Sequence, residues 1–162
     1  MINTYTPSFS EIFEKLGKIK TKEDKVRYLK EWNTDALRMV VKASFDPKIE
    51  WLLPEGSVPF EPNDAPEGTE HTTLQMEARQ LYRFIKGGDN TISQNKREMM
   101  FVQMLEGLQE KEAHVLVAAK DKRLHQVYKG LSKNVVMEAF DWDENYMVIG
   151  DKYPQAPGPA AG

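Results

Sequence analysis

The chain of 162 residues carries 22 Lys and Arg against 25 Asp and Glu, a net charge of -3, and is 40% hydrophobic and 29% charged. This size suits one domain that buries about 70% of its unfolded surface in a single core, and the composition is too apolar for intrinsic disorder. The balance of charge argues against a general nucleic-acid binder, and the absence of cysteine excludes a disulfide framework and a thiolate metal site.

Apolar residues recur at helical spacing from the start. Phe9, Ile12, Phe13 and Leu16 fall at i, i+3, i+4 and i+7, with Ser8 as N-cap after Pro7, which predicts a short first helix ending near Gly17. Thr21 with Asp24 starts a second helix through Val26, Leu29 and Trp32. Asn33 or Thr34 caps a third that runs along Leu37, Val40, Val41 and Ser44, and the FDP triplet stops it, because the residue before proline avoids the helical region. Beyond a Pro-rich segment, Leu74, Ala78, Leu81, Tyr82 and Ile85 form a wide stripe, closed by KGGDN with glycines suited to a left-handed cap. Thr91 to Gln94 offers a capping box for the next helix, whose buried face holds Phe101, Met104, Leu105 and Leu108. Glu110 opens a helix through Ala113, Leu116 and Val117, and a last helix holds Val135, Val136, Ala139 and Phe140. The only strand candidate is YMVIG at Tyr146.

The reading is an all-α domain, residues 1–150: a compact bundle of six or seven short helices in helical hairpins. It carries a Pro-rich acidic arm over 53–71 and an extended Pro/Ala/Gly tail over 151–162. LKEWNTDALRMVVKAS from Leu29 and LEGLQEKEAHVLVAAK from Leu105 align without gaps, each as helix, polar turn, helix. Two copies fall short of a solenoid, so the echo reads as two hairpins obeying the same packing rules.

Charge is segregated along the chain. Residues 46–70 carry seven acids against Lys48 alone, whereas Lys120 to Lys133 holds five Lys or Arg plus His125 against Asp121. The simplest reading is solvated helix faces and loops. The sharper one is a phosphate-binding patch of Lys120, Lys122, Arg123, Lys129 and Lys133, with Tyr128 as a stacking ring. No apolar run approaches the roughly 20 residues needed to cross a bilayer, and MINTYTPSF lacks the layout of a secretion signal, so a soluble protein without a membrane partner is expected.

The run EARQLYRFIKGGDNTISQNKREMMFVQMLEGLQEKEAHVLVAAKDK, preceded by FDPKIEWLLPEGSVPFEPN and followed by YKGLSKNVVMEAF, resembles a small family of uncharacterised proteins of T-even-like tailed bacteriophages, especially those of marine and cyanobacterial hosts. The resemblance covers most of residues 8–145. It implies a phage setting, in the host cytoplasm or the virion, and it transfers no activity to any residue.

Little in the chain points to catalysis. Ser132, His125 and Asp121 are the nearest ingredients of a hydrolytic site, and Asp121 and His125 at i and i+4 read as surface residues sharing a helix face. DWDENYMVIGDK places Asp141, Asp143 and Asn145 at positions one, three and five of a calcium loop. However, Tyr146 stands where the turn needs glycine, and Lys152 where a bidentate glutamate belongs. GGDN lacks the remaining residues of a phosphate loop. No cofactor, metal or enzymatic activity is expected.

The arm LPEGSVPFEPNDAPEGTEH is the most unusual segment. A stretch of this length without periodicity inside a compact domain is usually functional or disordered. Pro54, Pro59, Pro62 and Pro66 bias it toward extended conformations, while Val58 and Phe60 are more apolar than a solvated linker requires. Either it folds back across its own helices with Phe60 and Trp51 as anchors, or it reaches into a neighbouring protein. The functional expectation is a non-enzymatic protein-binding module, with Trp51, Val58, Phe60 and Tyr153 as contact residues. A virion structural or assembly component and a nucleic-acid-binding accessory protein are the alternatives.

Overall fold

A computed structural model describes residues 7–63 and 72–149. Among these, the chain forms eight α-helices and one 3-10 helix, with no strand longer than an isolated bridge. The helices are α1 Phe9–Lys18, α2 Lys22–Glu31, α3 Asp35–Phe45, α4 Leu74–Glu77, α5 Gln94–Gly107, α6 Glu110–Lys120, α7 Leu124–Val127 and α8 Lys133–Phe140, with the 3-10 helix at Ala78–Phe84 following α4 directly. The all-α expectation is met. Within YMVIG the described residues 146–149 contribute only the bridge from Val148 to Trp142 as strand pairing, and Gly150 and the C-terminal tail lie outside the described residues.

The start signals act through their side-chain oxygens. Ser8 accepts the Glu11 amide while the Glu11 carboxylate accepts the Ser8 amide, a complete capping box. Thr21, Thr34 and Ser132 each cap the helix that follows. The fifth helix departs from expectation: Ser93, not Thr91, accepts the Lys96 amide as its N-cap, because Thr91 is turned onto the Asp89 carboxylate.

The stretch after the arm also differs, and for a clear reason. The residues buried there are Ala78, Leu81 and Phe84, at a spacing of three, and only a 3-10 helix with three residues per turn aligns that spacing on one face. Ile85 then leaves the helix in extended conformation to pair with Trp51. The following glycine is forced: a Cβ on Gly88 would lie 2.0 Å from the Tyr82 carbonyl oxygen.

One core cluster joins all these elements, built on Phe13, Phe84, Phe101, Phe140 and a set of fully buried leucines. Helix α6 lies at its centre, packed on α1, α3, α5 and α7, while α2 packs chiefly on α8. The internal echo therefore stops at local structure. The second copy is a true hairpin of α5 and α6, whereas in the first copy α2 turns away from α3 to cover α8.

A buried carboxylate organises this arrangement. Glu112, in the first turn of α6, is 3% exposed. One of its oxygens accepts the Phe9 amide at 2.8 Å and the other the Leu74 amide at 3.0 Å. These are the first amides of α1 and α4, whose own caps, Ser8 and Thr73, reach only the third. A single side chain thus satisfies two helix starts, where both the free amides and the helix dipoles favour negative charge.

Nearby, Tyr128 packs its ring 5.4 Å from that of Phe13. Burial, reinforced by the charges of Glu14 and Glu112, pushes its phenol up to about 12.

Replacing Glu112 by Ala strands two buried amides and should cost about 2–5 kcal/mol in urea unfolding. Glu112→Gln, with one acceptor oxygen left, should fall between that variant and the parent. The raised phenol sets a pH window. An unfolded tyrosine ionises near about 10, so the unfolded state loses its proton first and stability should fall as pH rises from there to about 12. Tyr128→Phe should remove that part of the decline, read by denaturation across the alkaline range.

Candidate protein-binding surface

The first part of the Pro-rich arm is a strap over its own helices. It begins beside the 3-10 helix, where Leu52 donates to the Phe84 carbonyl and Lys86 to the Glu50 carbonyl. Trp51 donates its indole N–H to the Ala43 carbonyl at 2.9 Å and sets its ring edge-on to Phe101. The strap then follows α6 from its C-terminal to its N-terminal end. Pro54 to Gly56 sit on Lys120 and Asp121, Phe60 lies 6.2 Å from the His114 ring, the Glu61 amide donates to Glu106, and Asn63 bridges to Gln109. Trp51, Val58 and Phe60 are half-buried against the core, so the structure brings these three candidate contact residues together on the chain's own helices. The rest of the arm and Tyr153 lie outside the described residues.

The basic segment is largely turned inward. Lys120 has only 1% of its side chain exposed, and its ammonium finds three acceptors for its three donors: the carbonyls of Pro54 and Gly56 and the Asp121 carboxylate. Lys122 donates at 2.6 Å to the Asp46 carbonyl, so a cation sits at the C-terminal end of α3 where the dipole favours it. Burial lowers its pKa against the opposing pull of Asp46. Arg123 pairs with Glu55 of the strap and Lys133 with Glu144. Lys129 is exposed.

The expected surface pairing of Asp121 with His125 gives way to two separate roles. Asp121, with 9% of its side chain exposed, ends α6 and holds both Lys120 and the Gly56 amide. His125 lies against the Phe45 ring at 5.9 Å. Ser132 is spent on capping α8. Asp143 accepts the amides of Asn145 and Met147 within its own turn. Among the described residues no group of three or more His, Asp or Glu is placed to hold a metal ion.

An open cleft of about 250 Å³ lies between the 3-10 helix and α5. Phe84, Met100 and Met104 give it an apolar lining, and Thr72, Glu77, Gln80, Arg83 and Gln103 make it polar at the edges. Thr72 donates its hydroxyl to Glu77 at 3.0 Å. Two large apolar side chains stand exposed beside it in sequence, Met76 at 64% and Met99 at 59%; Met99 lies one helical turn before Gln103 on the same ridge of α5. Sequence periodicity could not separate these methionines from core residues, since Met104 on the same helix is buried. Among the described residues no helix is long and apolar enough to cross a membrane.

Removing the Lys120 ammonium leaves two strap carbonyls and a carboxylate without their donor. Lys120→Met should therefore lower stability by about 3–5 kcal/mol, and Phe60→Ala by about 1–3 kcal/mol for a half-buried ring. Urea unfolding checks both, and hydrogen exchange at the Gly56 and Glu61 amides should rise in each.

No curated protein and no solved structure matches the chain. A protein-family model does match, over residues 12–126, described as a family of unknown function (DUF6433). The match runs from α1 to α7 and takes in the strap, Glu112 and the cleft. The likeness to a family of uncharacterised proteins holds at that level: this chain belongs to the DUF6433 family.

Proposed function

We propose that this is a non-enzymatic accessory protein of a tailed phage that works by docking another protein on its helical surface, in the host cytoplasm or the virion. The setting is supported by the resemblance carried by the runs around Glu77 to Lys122. The observation that carries the docking role is the methionine-bearing cleft between the 3-10 helix and α5. Methionine is flexible and polarisable, and it suits surfaces that adapt to a partner. The strap contributes by fixing the helices beneath this surface, its apolar residues being used internally. A phosphate-binding role draws less support, because Lys120, Lys122, Arg123 and Lys133 each have an intramolecular acceptor.

The test is affinity capture of the full chain from infected cells, read by mass spectrometry with and without nuclease. A defined phage or host protein should copurify, survive nuclease treatment, and be lost with Met99→Glu but not with Lys129→Glu. Retention that nuclease abolishes, or that only the lysine variant reduces, would move the protein to the nucleic-acid class.

A further inference from the structure

Lysines from four parts of the chain come together around the C-terminal half of α1. An open groove of about 590 Å³ along that helix is lined by Glu11, Glu14, Lys15, Lys18, Ile19 and Lys111. Lys20 follows in the turn to α2. Lys129 is brought alongside by its neighbour Gly130, which packs so tightly on the Leu16–Gly17 backbone that a Cβ there would lie 2.5 Å from the Leu16 carbonyl carbon. Lys18, Lys20 and Lys129 are exposed and make no ion pair or side-chain hydrogen bond among the described residues.

The needs of the fold account for only part of this cluster. Lys15 and Lys18 lie where the α1 dipole favours a cation, and the Lys15 ammonium also rests 5.4 Å from the Tyr28 ring. Lys111, in contrast, stands in the first turn of α6, where the dipole disfavours a cation. Its pairing with Glu14 is long, at 4.0 Å, and exposed on both sides. Glu11 has a carboxylate oxygen on the Ser8 amide. With both acids of the groove engaged, Lys18, Lys20 and Lys129 are left facing solvent in excess.

The chemistry of this surface restricts its partner. Lysine is depleted in protein interfaces, where aromatic, methionine and arginine side chains are enriched, and Ile19, the apolar residue of the groove, is half-buried. A membrane would need an apolar helix face to sink into it, and that of α1, with Phe9, Ile12, Phe13 and Leu16, is spent on the core. A nucleic acid needs neither: flexible, hydrated ammonium groups spread over an open groove suit a row of phosphates, whose condensed counterions they release.

We infer that this lysine surface binds the phosphate backbone of a nucleic acid without reading its sequence. Lys18, Lys20 and Lys129 make the contacts, with Lys15 and Lys111 at the edge, and Glu11 and Glu14 hold the affinity down. The basic segment 120–133 contributes Lys129 alone. The surface is separate from the methionine-bearing cleft and does not rest on the protein-docking function.

The experiment is fluorescence polarisation of a labelled DNA duplex of mixed sequence, titrated with the full chain over about 20–200 mM salt, with thermal melting of each variant. The parent should bind in about the micromolar range at the lowest salt, its log affinity falling against log salt with a slope of about -3, as three neutralised phosphates require. Lys18→Glu with Lys129→Glu should weaken binding about tenfold or more and flatten that slope toward about -1. Arg79→Glu with Lys96→Glu changes net charge equally at exposed positions on the 3-10 helix and α5, and should cost about threefold at most. Equal losses in the two double variants would mean that net charge alone is felt, and would overturn the inference. Absence of binding by the parent at the lowest salt would do the same. Tighter binding to phosphatidylserine vesicles than to DNA would assign the surface to a membrane and refute the nucleic-acid partner. Should Lys18→Glu with Lys129→Glu melt below the parent, the neutral pair Lys18→Gln with Lys129→Gln decides: a flattened slope upholds the inference and an unchanged one ends it.

Discussion

Two helix starts, more than sixty residues apart in sequence, meet at the carboxylate of Glu112. Burying an ion is costly unless every lone pair finds a donor, and here the donors are amides that the helices cannot use themselves. The cost of the buried charge and that of the orphan amides cancel each other. Because the acceptor belongs to α6, the angle at which α1 and α4 enter the core is set relative to that helix. The 3-10 helix follows α4 without a break, so the position of the cleft depends on the same contact.

The opposite end of α6 repeats the device with inverted sign. Lys120 is an ammonium ion in the last turn, buried and saturated by two carbonyls and a carboxylate. A carboxylate near the start and a cation near the end both lie where the helix dipole stabilises them. The two differ in what they hold: Glu112 joins helices, whereas Lys120 fastens an irregular segment. The strap has few ways to satisfy its own backbone, and prolines remove some of its donors. Its conformation therefore comes from α6 and from the half-buried rings of Trp51 and Phe60. Gly56 completes the turn over Lys120 at φ 104, a backbone conformation that side chains resist.

What the sequence revealed and what it concealed follow from the range of the interactions involved. Caps at Ser8, Thr21 and Thr34 act within four residues, and the apolar stripes report which face is buried, so helix positions were legible. Charges on those stripes carried a further signal. Glu112 lies at i, i+3, i+4 and i+7 with Val115, Leu116 and Ala119, and Arg97 precedes Phe101 by one turn and Met104 and Leu105 by two, so each interrupts an apolar face. A charged residue in such a position is a buried one awaiting partners, but its partners come from remote segments that periodicity cannot name. The cleft was hidden for a related reason. Gln80 is unremarkable in the sequence, and only the packed arrangement shows that its buried carbonyl oxygen has no hydrogen-bond partner among the described residues.

The reach of Glu112 also bears on how the chain is made. Synthesis delivers α1, then α4 and the 3-10 helix, before the first turn of α6 exists, and until that turn emerges the leading amides of both helices have only water to bond. The strap is likewise complete long before Lys120 can receive it. Contacts spanning 103 and 66 residues must close for these elements to settle, and such closures slow folding. The growing chain is therefore expected to stay loosely ordered on the ribosome through most of its length, and to consolidate in one late event when α6 leaves the exit tunnel.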